Sequence, residues 1–299
     1  MIEQMKRKTF LLIAVCMTSI VHATVLRVNN ADASAPYATI KAAVTAAAEG
    51  DTIMVEGTPV DYDGVTVDKR VVLIGAGYWL RENGISTEAA QPASIQEITT
   101  TEEGTVLMGL LVYGNINIEG AKTVVTRCLV KGSIGIKGGT DYCVVRQNFL
   151  SGDVGSGYDK SSYHQITNNI FGNISCKGIN SSYIAYNTSF HHWGESFWNS
   201  ANCKVEKNIF YTHDINAGDG NTIQDNYVIG ELFQDIQTDK DVRDSAIPQD
   251  ATAYGAFAGD DPYVISGIPA GPIIEELTIP TSVEEGGTME VALKLGSVK

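Results

Sequence analysis

Cationic side chains are scarce in this 299-residue chain: 21 Lys and Arg stand against 35 Asp and Glu, a net charge of −14. A surface so short of positive charge excludes the phosphate-neutralising stripes on which nucleic-acid binding depends. Proline is scarce too, at 8 residues, so few positions are barred from donating to a backbone ladder. The five cysteines include no Cys-x-x-Cys pair and no Cys/His cluster, which excludes the usual structural zinc sites. No apolar run reaches the roughly 18 residues that cross a bilayer. The longest, residues 10–21, follows Lys6-Arg7-Lys8 and ends at the small-residue site Val21-His22-Ala23. That pattern reads as a signal peptide over 1–23, with Thr24 opening the mature chain. Cleavage would remove Lys6, Arg7, Lys8 and Glu3, a net +2, and leave −16. The expectation is an exported protein, secreted, periplasmic or at the cell surface, that is not an integral membrane protein.

What the chain does have is a recurring phrase: apolar, any, any, Asn, apolar, apolar. It occurs as VRQNFL (145–150), ITNNIF (166–171), VEKNIF (205–210) and IQDNYV (223–228), and more loosely as IAYNTS (184–189). Two earlier copies, VTRCLV (125–130) and LMGLLV (107–112), carry Cys128 and Leu110 in the Asn slot. Successive slots at 110, 128, 148, 169, 187, 208 and 226 lie 18 to 21 residues apart. Short β-prone runs at such a period predict a solenoid of stacked coils, since the runs are too short for helices. Asn is expected to supply the left-handed residue of each bend. Stacked about 4.8 Å apart, the side chains of Asn148, Asn169, Asn187, Asn208 and Asn226 are expected to form a structural ladder inside the wall. Solenoids lengthen by adding coils, so the chain length does not force a second domain.

The segment 37–57 opens with an amphipathic pattern. Ile40, Ala43, Val44 and Ala47 share one helical face, Gly50 offers a stop, and 52–55 begins the sheet. Together with runs 65–67 and 71–74 and the Asn repeats, this segment resembles the right-handed parallel β-helix proteins of the pectate-lyase-like superfamily, over about residues 25–265. The resemblance implies an all-β fold: a single right-handed parallel β-helix over 24–267 with a short N-terminal capping helix. Residues 230–250 read as an irregular wrap, and 254–269 resemble the closing segment of secreted, Bacteroidetes-like β-helix proteins. The stretch 268–299 suggests a β-rich tail, either an end cap or the start of an Ig-like attachment module, with strands at 273–277 and 289–295.

Four cysteines remain in the mature chain: Cys128, Cys143, Cys176 and Cys203. Cys143 and Cys203 sit five residues before an Asn slot, in one column three coils apart. That separation of about 14 Å is twice what a disulfide spans, so free, buried thiols are expected.

The superfamily binds glycans along its first sheet, which draws attention to the residues nine to eleven before each slot: Glu119, Lys137, Tyr158, Lys177, Trp198 and Asn216. Facing outward in register, Lys137, Tyr158, Lys177 and Trp198 would form a stripe. Its rings would stack on sugars, and its lysines would pair with uronates or, if buried, abstract a proton. The plainer reading of the stripe is a solvated sheet face. A second candidate is the cluster 190–198, with His191, His192, Trp193, Glu195 and Trp198, though adjacent histidines on an extended strand point to opposite faces. Its plainer reading is an aromatic lid over the coils. Asp214, Asp219 and Asp225 leave calcium open as a cofactor but form no EF-hand loop.

The catalytic strings of the superfamily's enzymes are missing. There is no Asp-Asp with Gly-His-Gly as in polygalacturonases, no Gly-Arg-Pro-Trp or Gln-Asp-Thr-Leu as in pectin methylesterases, and no Arg-x-Pro-x-x-Arg as in many pectate lyases. The expected function is therefore polysaccharide binding by a monomer, and no specific catalytic residue is indicated. The alternative is a polysaccharide lyase or glycosidase with an unfamiliar site on the first sheet.

Overall fold

The computed structural model describes residues 23–85, 90–155, 157–191, 194–230, 233, 235–245, 247–269, 271–278 and 292–298, with side chains through residue 269. The chain winds as a parallel β-solenoid of three faces. One coil runs Val124–Thr126 on the first face, Leu129–Val130 on the second and Ile134–Ile136 on the third. It then returns at Val144–Arg146, which pairs parallel to Val124–Thr126 with Val125 beside Val145. The three sheets hold ten, eight and six strands.

Side chains alternate across each strand, so every coil sends the same positions inward. Val125, Val145, Ile166, Ile184 and Val205 stack in one fully buried column. Val112, Val130, Leu150, Phe171 and Phe210 line the second face from within. Burial of each such side chain contributes about 1.5–3 kcal/mol relative to exposure.

The Asn ladder is present. Asn148 Nδ2 and backbone N–H both donate to Asn169 Oδ1 at 3.0 Å, and Nδ2 also reaches Val125 O at 2.9 Å. Asn169 treats Asn187 in the same way, Asn187 treats Asn208, and Asn208 treats Asn226. Each carboxamide thus satisfies two backbone groups that the bend would otherwise leave unpaired inside the wall.

The left-handed residue is not the Asn, however. Positive φ falls one place earlier, at Gly109 (65°), Arg127 (55°), Gln147 (55°), Asn168 (54°), Tyr186 (56°), Lys207 (59°) and Asp225 (50°). The bend needs one residue turned outward in that conformation and the next turned inward to bond. The Asn takes the inward role. Each non-glycine residue held this way costs about 1–2 kcal/mol, which the ladder bonds offset.

A second polar column follows the same logic at the entry to the first face, five residues before each slot. Cys143 N–H donates to His164 Nδ1 (3.1 Å), His164 N–H to Ser182 Oγ (2.8 Å) and Cys203 N–H to Asn221 Oδ1 (2.8 Å). Here too the preceding residue is left-handed, at Lys122, Tyr142, Tyr163, Ser181 and Asn202. Cys143 and Cys203 do share this column, and Cys128, Cys143, Cys176 and Cys203 are free and buried.

Most outward residues of the second face are apolar and covered, and Thr188 in their column accepts the Ala256 N–H. Leu111, Leu129, Phe149, Ile170 and Ile209 pack with Tyr78, Phe233, Val242, Ala256 and Tyr263. The covering strap, residues 254–268, is held by the left-handed residues themselves. Arg127 donates to Ile268 O, Gln147 to Asp261 Oδ1 and Pro262 O, and Asn168 to Ala256 O and Ala258 O. Lower down, Lys207 sits over the Tyr254 ring and Tyr254 Oη donates to Asp225.

Within 230–250 the structure differs from the irregular wrap expected there. Besides the N-terminal helix α1 over Ile40–Ala46, a second helix, α2, forms there over Asp239–Asp244. The latter starts because Asp241 accepts the Thr238 N–H, a capping contact that high polarity conceals. Helix α1 buries Ile40, Ala43 and Val44 against the strands of the first coils and ends at Ala46, with Gly50 in a later turn of φ 87°. The tail strands Gly271–Thr278 and Ala292–Val298 pair antiparallel. Among the described residues no helix is long and apolar enough to cross a membrane.

Candidate functional site on the third face

The outward column of the third face runs Asn117, Gly135, Gly155, Lys177, in register through the pairs Asn117–Gly135 and Gly155–Lys177. At this column position two consecutive coils present no side chain, with Lys137 and Asp153 two residues to either side and Lys177 Nζ reaching back to Asp153. At Gly155 the bareness is enforced: φ is 116°, and an added Cβ would lie 2.0 Å from Lys177 O. At Gly135 a Cβ would meet nothing closer than Asn117 Oδ1 at 3.4 Å, so a larger residue there would fill the trough.

Two aromatic rings edge this floor. Tyr158 is 84% exposed and Trp198 41%, and their rings meet edge to face at 5.4 Å. They stand two coils apart, and Gly178 between them carries no side chain; its N–H donates to Trp198 O. Asn199 Nδ2 fixes the loop under Tyr158 by donating to Gly157 O and Tyr158 O. The apolar surfaces of two rings in water make a ready stacking edge.

Both lysines of the stripe are on this face, and both are engaged. Lys137 Nζ lies 3.0 Å from Glu119 Oε2 and Lys177 Nζ 2.6 Å from Asp153 Oδ2, in exposed pairs. Neither lysine is buried, and burial is what a lysine base requires. The trough is polar but locally neutral.

The cluster 190–198 is divided by the wall. Phe190 packs outside against Phe149, at 5.4 Å between rings, and the His191 N–H donates to Gly172 O. Glu195 and Phe197 face inward and are buried. Trp198 alone of the cluster's described residues reaches the trough. His192 and Trp193 lie outside the described residues.

Glu195 is the one carboxylate buried inside the coils here. Its Oε2 accepts the Ile174 N–H at 2.7 Å, and its Oε1 accepts from Ser189 Oγ and the Tyr211 N–H. Burial outweighs these donors and pushes the carboxyl up to about 7. His164 is buried in the second column, and desolvation draws it down to about 4. Both groups serve the wall and neither opens onto the trough.

Among the described residues, no three of His, Cys, Asp and Glu converge to hold a metal ion. Asp225, one of the acids considered for calcium, is taken up by Lys207 and Tyr254.

The glycine floor carries no motif of its own; only the register reveals it, one coil before Lys177 at Gly155 and one more at Gly135. No protein-family model, curated protein or solved structure matches this chain.

Proposed function

We propose that this protein is an exported polysaccharide-binding solenoid that holds a neutral glycan along the third face. The observation that carries the reading is the bare Gly135–Gly155 floor edged by the Tyr158–Trp198 pair. A flat backbone floor accepts an extended chain lengthwise, and the ring edge gives a sugar face something apolar to stack on. The neutral class follows from the charges: Lys137 and Lys177 are already matched by Glu119 and Asp153, and the chain's net charge of −14 repels uronates. The likeness to the pectate-lyase-like superfamily and the signal-peptide pattern of residues 1–23 support export and a glycan ligand.

Glycan-array binding of residues 24–299, compared with Trp198→Ala, tests the reading. Retention of neutral glycans by the parent and markedly weaker retention by the variant is the expected result; equal retention by the two would overturn the reading. A panel of polysaccharides followed for unsaturated uronide absorbance and for reducing ends addresses the lyase and glycosidase alternative. Turnover of any member would replace the binding reading with an enzymatic one.

A further inference from the structure

The two left-handed columns of the solenoid have opposite fates. At the first-to-second-face corner, the described outward residues grip the strap. At the entry to the first face no strap among the described residues covers the equivalent positions, and the chain places Tyr142 and Tyr163 there, at φ of 61° and 63° and both about half exposed. Bulky residues rarely adopt this conformation, and these two gain only each other as ring partners. Their rings stack at 5.1 Å with 16° between planes. Because Val144 pairs with Gln165 and Gln165 with Tyr183, Tyr142, Tyr163 and Ser181 occupy successive coils of one column. Tyr183 pairs with Lys204, which puts Asn202 next.

Ser181 and Asn202 share the positive φ, at 47° and 58°, so their Cβ atoms leave the backbone in the same direction as those of the tyrosines. The stack therefore stops where the side chain shortens from a ring to a hydroxymethyl group. The face of Tyr163 turned toward Ser181 meets no third ring, which leaves an open place in the stack above the exposed Ser181 and Asn202 of the next two coils.

We propose that this space is a second binding site, in which a pyranose ring of a neutral glycan takes the third place of the stack on Tyr163. The apolar C–H face of the sugar meets the electron-rich ring face, and its hydroxyls meet Ser181 and Asn202. The site shares the glycan class of the proposed function but none of the trough's residues.

Affinity electrophoresis in gels containing soluble β-glucan, mannan, galactan or xylan tests it, with Tyr163→Ala, Ser181→Tyr and Trp198→Ala beside the parent. Ser181→Tyr fills the space with a side chain that this turn already carries twice, so the fold is retained and only the vacancy is lost. Both corner variants are expected to weaken retention about tenfold. Trp198→Ala is expected to leave part of the retention in place. Retention unchanged in Tyr163→Ala and Ser181→Tyr, with complete loss in Trp198→Ala, overturns this site and leaves the trough standing. A parent that no polysaccharide retards overturns both. Loss of binding to free p-nitrophenol in the corner variants, with glycan retention unchanged, overturns the sugar assignment.

Discussion

Replacing Glu195 by Gln is expected to uncover a pH dependence that the parent conceals. Native Glu195 keeps its proton to about pH 7, whereas an unfolded glutamate releases it near 4.5. The fold therefore holds more protons between those values, and this contribution is present below pH 4.5 and lost as pH rises to 7. His164 works in reverse. The unfolded imidazole protonates below about 6.5 while the native one stays neutral to about 4, so its contribution is present above pH 6.5 and lost as pH falls. At about 1.36 kcal/mol per pH unit for each group, the slopes oppose and cancel from pH 4.5 to 6.5. Glu195→Gln leaves only the histidine slope, a rise in stability of about 2.7 kcal/mol across that window relative to the parent. His164→Asn, which can accept the Cys143 N–H as Asn221 accepts that of Cys203, leaves only the glutamate slope, a fall of similar size. Urea denaturation of the three proteins at pH 4.5, 5.5 and 6.5 measures this. Any pH-independent offset from the substitutions drops out of the comparison. Variants whose stabilities run parallel to the parent within about 0.5 kcal/mol would refute the assignment of these groups as buried titrating sites.

Asn169→Ala should orphan the Asn148 N–H and Val145 O inside the wall, costing about 4 kcal/mol by denaturant titration. Gln147→Ala removes the donor to Asp261 and Pro262; limited proteolysis should then cleave within 254–268 before the coils, with a stability loss of about 2 kcal/mol. The two floor glycines should separate folding from binding. Gly155→Ala, forced onto Lys177 O, should lower the melting temperature, whereas Gly135→Val should fold near parental stability and weaken glycan binding.

The coil architecture was readable because its determinants recur. One side-chain type, Asn, does one job in each bend, and the period survives the exceptions at Leu110 and Cys128. Cys128 keeps its place in the column: its N–H donates to Asn148 Oδ1, and its thiol, pushed by burial up to about 12, donates to Thr126 O. The strap column was not readable. Arg127, Gln147, Asn168, Tyr186, Lys207 and Asp225 share a backbone angle but no chemistry, because they meet different groups along 254–268 and only Lys207 and Asp225 share one, Tyr254. The left-handed conformation was assigned to Asn on its intrinsic tolerance. It belongs to the residue before, because only an inward side chain can reach the next coil. The site was only partly legible: Lys137 and Lys177 share the third face, but Lys137 stands two residues past Gly135, the residue in Lys177's column, so the expected stripe is not in register. Which charges neutralise the lysines depended on partners 18 and 24 residues away, a coil below in each case. The floor escaped notice because it consists of missing side chains.

The most direct test of the stacked-coil account is amide hydrogen exchange at the backbone N–H groups of Asn148, Asn169, Asn187 and Asn208. Each donates to a carboxamide one coil away at 2.9–3.0 Å, within a buried column. The account predicts that these four exchange only through global unfolding, as slowly as the strand amides of the first face. Exchange at rates typical of open surface turns would contradict it.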